Sequence, residues 1–173
     1  ATAGARRESW GMSMKSDADT LPEGITLRQM GPGSITAHWP VLKFAVGRAL
    51  DEEPDGDVVT GLYAKLMENR MQCWGLLATD TGTSKRLSGV MITCFARDEV
   101  MRELTLNVMV MTTRENLPIN DLDTGLQHLR SFARRSGATS ILAHLRNKGS
   151  QTLAGKVGFE TEVYGRLPVM EDE

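Results

Sequence analysis

The chain has 173 residues, 40% of them hydrophobic and 24% charged, with a net charge of −2. That is enough chain for one domain and its core. The slight acidic balance excludes a general nucleic-acid binder, which carries a clear basic excess. No apolar run approaches the ~18–20 residues needed to span a bilayer, and the first residues hold no apolar stretch of signal-peptide type.

Residues 1–23 read as an arm, rich in Ala, Gly, Ser, Thr and charge and without a sustained period. Such a segment is either a disordered terminus or an arm that orders on a partner. In the second case Trp10 is the anchor, with Arg6 and Arg7 beside it. A first strand follows at Gly24–Met30, where Ile25 and Leu27 alternate and Gly31-Pro32-Gly33 ends the run. A helix is predicted from about Thr36 to Asp51, with Trp39, Leu42, Val46 and Ala49 on one face and Pro40 in the first turn. After an acidic turn, Asp57 can cap a second helix with Val59, Leu62, Tyr63, Leu66 and Met67 as its buried stripe.

Three meandering strands come next: Cys73–Thr79, Arg86–Arg97 and Arg102–Thr112. The last is nearly apolar on both faces and so should be central. Cys73 and Cys94 fall in different strands, show no metal-ligand spacing and read as buried free thiols of a reducing compartment. Leu122–Ser136 is a helix with Leu122, Leu126, Leu129 and Ala133 inward and Gly137 as its stop. Ser140–Arg146 is a short strand and Ser150–Val157 a short helix ended by Gly158. Glu160–Val169 closes the domain as a strand, and residues 170–173 form an acidic tail. The order β-α-α-β-β-β-α-β-α-β predicts a single α/β domain over 24–169, a mixed sheet of about six strands with helices on both faces. The crossover through the long helix should join two parallel strands.

This order resembles the GNAT superfamily of acyl-coenzyme-A-dependent N-acyltransferases. The resemblance is sharpest at Asn147, Ser150, Leu153, Ala154, Gly158 and Phe159, which match that family's Asn, small residue, Leu, frequent Tyr and Gly-Phe. Trp74–Gly89 is similar to the family's first hairpin. The resemblance implies an acetyl-coenzyme A site in the loop after the fourth strand, where backbone N–H groups at a helix start meet the pyrophosphate. The family pattern there is Gln or Arg, two residues, Gly, one residue, then Gly or Ala. Here the loop reads Arg114-Glu115-Asn116-Leu117-Pro118-Ile119-Asn120-Asp121, and no glycine stands between Val108 and Thr124. Pro118 removes a donor. Glu115, Asp121 and Asp123 bring carboxylates to the place of the phosphates, and the two aspartates complement the helix start themselves.

The family's thiolate-protonating Tyr matches Ala154 here. The loop and Ala154 together lead us to expect no cofactor and no surviving catalysis. The chain also resembles GNAT-like proteins encoded among tailed-bacteriophage structural genes, through Trp39, the Gln72-x-Trp74 opening of the second strand and the degenerate loop. That resemblance implies a virion-associated or host-cytoplasmic protein that binds other proteins, virion proteins among them, through its arm, with oligomers open. The alternative is a working acetyl-coenzyme-A-dependent N-acyltransferase with a remodelled loop. Val110, Arg114, Asn116, Thr124 and Asn147 would then hold the cofactor, and Glu103, His144 or Tyr164 would move protons. Each of those three has a plainer reading: Glu103 as a solvated edge charge, His144 as a packed or rim residue, Tyr164 as a sheet-rim tyrosine.

Overall fold

The computed structural model describes residues 25–79, 85–113, 119–145 and 148–160. Within them lie strands β1 (Ile25–Met30), β2 (Gln72–Thr79), β3 (Lys85–Asp98), β4 (Glu103–Thr113) and β5 (Ser140–Ala143). They form one sheet in the order β1-β2-β3-β4-β5, antiparallel except for the parallel β4–β5 pair. The helices are α1 (Pro32–Leu50), α2 (Asp57–Met67), α3 (Ile119–Arg135) and α4 (Lys148–Lys156). The α/β class, the element order and the parallel crossover agree with the sequence reading. The arm, the acidic tail and the expected sixth strand beyond Glu160 lie outside the described residues.

The sheet separates two cores. On one face α1 and α2 supply Ile35, Leu42, Val46, Val59, Leu62 and Leu66, which meet Cys73, Leu77, Val90, Ile92 and Val110 from the strands. On the other face Leu122, Leu126, Leu129 and Ala133 of α3 meet Ile25, Leu27, Trp74, Leu76, Met91, Leu106 and Val108. Full burial of each such aliphatic side chain contributes about 1.5–3 kcal/mol before entropy is counted. Trp74 packs edge-on to Phe132 of α3, with ring centroids 4.7 Å apart. Its indole N–H donates to the Thr93 hydroxyl at 2.9 Å, and that hydroxyl donates to Gln72 Oε1 at 3.0 Å. The Gln-x-Trp spacing therefore puts both side chains on one face of β2, joined through Thr93 of β3.

Three local expectations are corrected. α1 begins at Pro32, a turn earlier than predicted, because Ile35 finds the core and its N–H reaches Gly31 C=O at 2.9 Å. Pro32 takes the tolerated first position, and Pro40 stands inside the helix. Asp57 is the first residue of α2 rather than its cap; Gly56, with φ −72° and ψ 165°, holds the cap position. β4 has neighbours on both sides but is not covered on both faces: Met109 and Met111 are exposed, and the continuously buried runs are Cys73–Leu77 of β2 and Leu87–Thr93 of β3.

β4 changes faces part-way along. Its pairing with β3 runs Val108↔Thr93 and then Val110↔Ile92, so Met109 is an extra residue, a β-bulge. Leu106 and Val108 accordingly face α3, while Val110 faces α1 and α2. A bulge of this kind bends its strand and increases local twist. The helix stops behave as predicted. Gly137 has φ +82°, and Ala138 N–H returns to Ala133 C=O at 2.9 Å. Gly158 has φ +88°, and Phe159 N–H returns to Ala154 C=O at 3.0 Å. Both are left-handed C-terminal stops that glycine takes without a Cβ penalty.

Candidate functional site

In a β-α-β unit with parallel strands, the carboxyl ends of the strands and the start of the helix share one edge of the sheet. Open α/β sheets bind ligands at that edge, where connections diverge. Here the unit is β4–α3–β5. Pairing between β4 and β5 covers Thr105↔Ser140 to Val108↔Ala143 and stops. The next residue of β4 is the bulged Met109. Met109, Met111 and Leu142 are 44%, 39% and 38% exposed around this end. The last rows of the pair therefore border an opening.

Asn107 lies in that border, paired with Cys94 on one side and Leu142 on the other. Its Oδ1 is buried and has no hydrogen-bond partner among the described residues. A buried acceptor left so costs about 1–3 kcal/mol. A cavity of about 770 Å³ continues from Asn107 along β5 to His144 and Gln151, bounded by Arg130 of α3 and by Phe159. Arg130 Nη2 donates to Val157 C=O at 3.0 Å and so ties α3 to the end of α4. Among the described residues the cleft is open.

The candidate residues are spread apart. Glu103 is exposed at the first position of β4, opposite Asp98. His144 is the first residue past β5, not a strand residue, and is exposed at the cavity. Six residues of strand, about 20 Å, separate Glu103 from the level of His144. The two therefore do not form one proton-transfer site. Val110 is 3% exposed, with its side chain in the α1–α2 core. Thr124 is in the second turn of α3, and its hydroxyl donates to Asn120 C=O at 2.9 Å. The uncommitted N–H groups of an α-helix belong to its first turn, which lies before Thr124. Arg6, Arg7, Trp10, Arg114, Asn116, Asn147 and Tyr164 lie outside the described residues. Ala154 is 7% exposed in α4.

The thiols are poor nucleophiles. Burial pushes the Cys73 thiol up to about 12, and Cys73 donates weakly to Met30 Sδ at 3.8 Å. Burial also raises Cys94, against a smaller lowering by the Lys65 charge. Cys73 is buried as expected, whereas Cys94 is half-buried. Among the described residues no group of three His, Cys, Asp or Glu side chains is placed to hold a metal, and no helix is long and apolar enough to cross a membrane. In the sequence Asn107 reads only as the start of the strand segment that flanks the cleft, with no site role, although a lone amide between Leu106 and Val108 in an apolar strand is a legible signal.

No family model and no curated protein matches the sequence. Solved structures do. A ribosomal-protein-alanine N-acetyltransferase from Brucella melitensis biovar Abortus 2308 superimposes with a TM-score of 0.60 at 10% identity, over 86% of this chain and 100% of that one. AAC(6')-Iy in complex with the bisubstrate analogue CoA-S-monomethyl-acetylneamine gives 0.62 at 12% identity, over 85% and 98%. A predicted acetyltransferase with acetyl-CoA from Clostridium acetobutylicum gives 0.57 at 18% identity, over 83% and 96%. The chain has the GNAT fold. At these identities the likeness concerns the fold, and function rests on the site.

The GNAT fold implies acetyl-coenzyme A, and the site fits it unevenly. The separated ends of β4 and β5, with exposed Met109 and Met111, suit a slender chain. The first turn of α3 does not suit a diphosphate, because Asp121 already stands there. One carboxylate ~6 Å from one phosphate charge costs on the order of 2–3 kcal/mol at an effective dielectric near 20.

Proposed function

We propose that this protein is a GNAT-fold binding or structural component that has lost acyl-coenzyme-A chemistry. In this reading it works in a tailed-bacteriophage assembly, and residues 1–23, with Arg6, Arg7 and Trp10, tether it to other virion proteins. The observation that carries the loss of chemistry is Ala154. Its methyl is buried in α4 at the position matching the family's proton-donating Tyr, so the position offers neither a hydroxyl nor an exposed face. The distance between Glu103 and His144 and the carboxylate in the first turn of α3 support the same reading. Calorimetry with acetyl-coenzyme A tests it: no heat of binding is expected, and low-micromolar affinity would overturn it.

One observation favours a second reading. Among the described residues the β4–β5 end is open and the buried Asn107 Oδ1 has no hydrogen-bond partner, as a site awaiting a ligand would be. An N-acyltransferase acting on an amine would hold its cofactor through Val110, Arg114, Asn116, Thr124 and Asn147, and would use Glu103, His144 or Tyr164 for proton transfer. Release of free coenzyme A across a panel of amines separates the two readings.

A further inference from the structure

The solvent face of α1 is apolar over most of its length. Ile35, Leu42, Ala45 and Val46 point into the core. Gly33, Ala37, Pro40, Val41 and Phe44 share the opposite side and are all exposed, Phe44 at 57%. Among the described residues nothing covers them, although a helix apolar on both sides is ordinarily covered on both. Charge enters this face at its C-terminal end, with exposed Arg48 and then Asp51, Glu52 and Glu53 of the following turn. Three carboxylates against one guanidinium leave that end net negative by two. Lys43 and Asp55 pair with each other and do not change the balance. Asp57 stands in the first turn of α2 and complements that helix. The N-terminal end is the reverse. The first turn of α1 holds no acidic residue and has no side-chain cap, so the positive end of the helix dipole is presented there. Arg28, exposed on β1 just before it, adds a positive charge, while Glu68 and Arg70 pair with each other at 3.7 Å. Size is graded as well, from Gly33 and Ala37 at one end to Phe44 toward the other.

We propose that this face is covered by the same face of a second copy of the chain, the two α1 helices lying antiparallel about a two-fold axis between Pro40 and Val41. The face is self-complementary in that arrangement, as an isologous contact requires. Phe44 of each copy lies on Ala37 of the other, large on small. Arg48 lies over Gly33 of the other copy, where no side chain obstructs its stem. Each acidic turn reaches the uncapped start of the other α1 and the neighbouring Arg28. Arg48 also approaches that positive end, and its charge is offset by Asp51 and Glu52 beside it in its own chain. A parallel pairing would set acidic turn against acidic turn and Arg48 against Arg48, so charge selects the antiparallel one. An unrelated partner would need an apolar face with its size and charge graded in this same order, which a second copy has already. One helix face is small beside the roughly 800 Å² per partner of a standard interface, so the pairing is reversible and depends on concentration. The inference goes beyond the proposed function and does not depend on it.

The test is sedimentation velocity on the full chain, from low to high micromolar concentration at low salt. The mass should rise reversibly from 19.0 kDa toward twice that value. Phe44→Ser, a surface substitution, should hold the chain at the monomer mass with an unchanged far-UV spectrum. Glu52→Lys with Glu53→Lys should weaken association roughly tenfold at low salt and less at high salt. Oxidative cross-linking reads the orientation, in a Cys94→Ser background that removes the half-buried native thiol. Val41→Cys, beside the axis, should cross-link to itself. Arg48→Cys should not, because the two positions lie about 22 Å apart along antiparallel helices, far beyond the reach of a disulfide. A monomer at every concentration overturns the proposal and assigns the face to another occupant. So does a dimer that ignores Phe44→Ser, or equal cross-linking at both positions, which is the mark of a parallel pair.

Discussion

Over α1 and α2 the sheet is closed: Leu42, Val46, Val59 and Ile92 are 0% exposed. At the β4–β5 end of the same sheet Met109, Met111 and Leu142 stand open, and the buried Asn107 Oδ1 has no hydrogen-bond partner among the described residues. One stretch of strand links the two regions, since the bulge at Met109 sends Val110 into the closed core and leaves Met109 and Met111 outside. Protein interiors leave few voids and no free acceptors when stability alone is at stake. The closed region has the packing of a scaffold, and the open one has the defects of a site. Among the described residues the cleft lies at one end of the β4–β5 pair, while Glu103 stands at the other end of β4.

Stability should follow that division. Leu42→Ala in the closed core is expected to cost about 2–5 kcal/mol in chemical denaturation, whereas Leu142→Ala at the open edge should stay within about 0.5 kcal/mol. Equal losses would mean that the open edge is covered in solution and would break the comparison. Thr93→Val tests the bridge beneath the two regions. It strands the buried Trp74 N–H and the Gln72 amide, which Thr93 joins at 2.9 and 3.0 Å, and should cost about 1–3 kcal/mol. A neutral result would show that water replaces the hydroxyl.

Most of the architecture was legible because it follows from period and punctuation. The stripe Leu122, Leu126, Leu129 and Ala133 identified α3, and Gly137 and Gly158 ended their helices because only a left-handed residue closes those turns. The start of α1 was misread because Pro and Gly serve a turn and a helix start equally well. The burial of Ile35, a tertiary fact, decided between them. The open face of β4 was illegible for a related reason: a bulge shifts the strand's period by one residue, and Met109 and Met111 read the same whether buried or exposed. The separation of Glu103 from His144 depends on strand register, which no local pattern encodes.

The smallest expected effect discriminates most sharply. Asn107→Leu removes an acceptor that nothing described satisfies and replaces it with an apolar side chain of similar size. If the amide has no task, the substitution should raise stability by roughly 1 kcal/mol, the lower end of the cost of an orphaned buried acceptor, and change no binding property. If the amide holds a ligand group in the cleft, the same stabilisation should come with lost binding, the usual exchange at a site kept for function. A loss of stability would instead mean that ordered water satisfies Oδ1 and that the edge is better sealed than its exposed methionines suggest. Denaturation melts of the two proteins, each with and without acetyl-coenzyme A, distinguish these cases. A thermal shift present in the unaltered chain and absent in Asn107→Leu would turn the reading back toward a working acyltransferase.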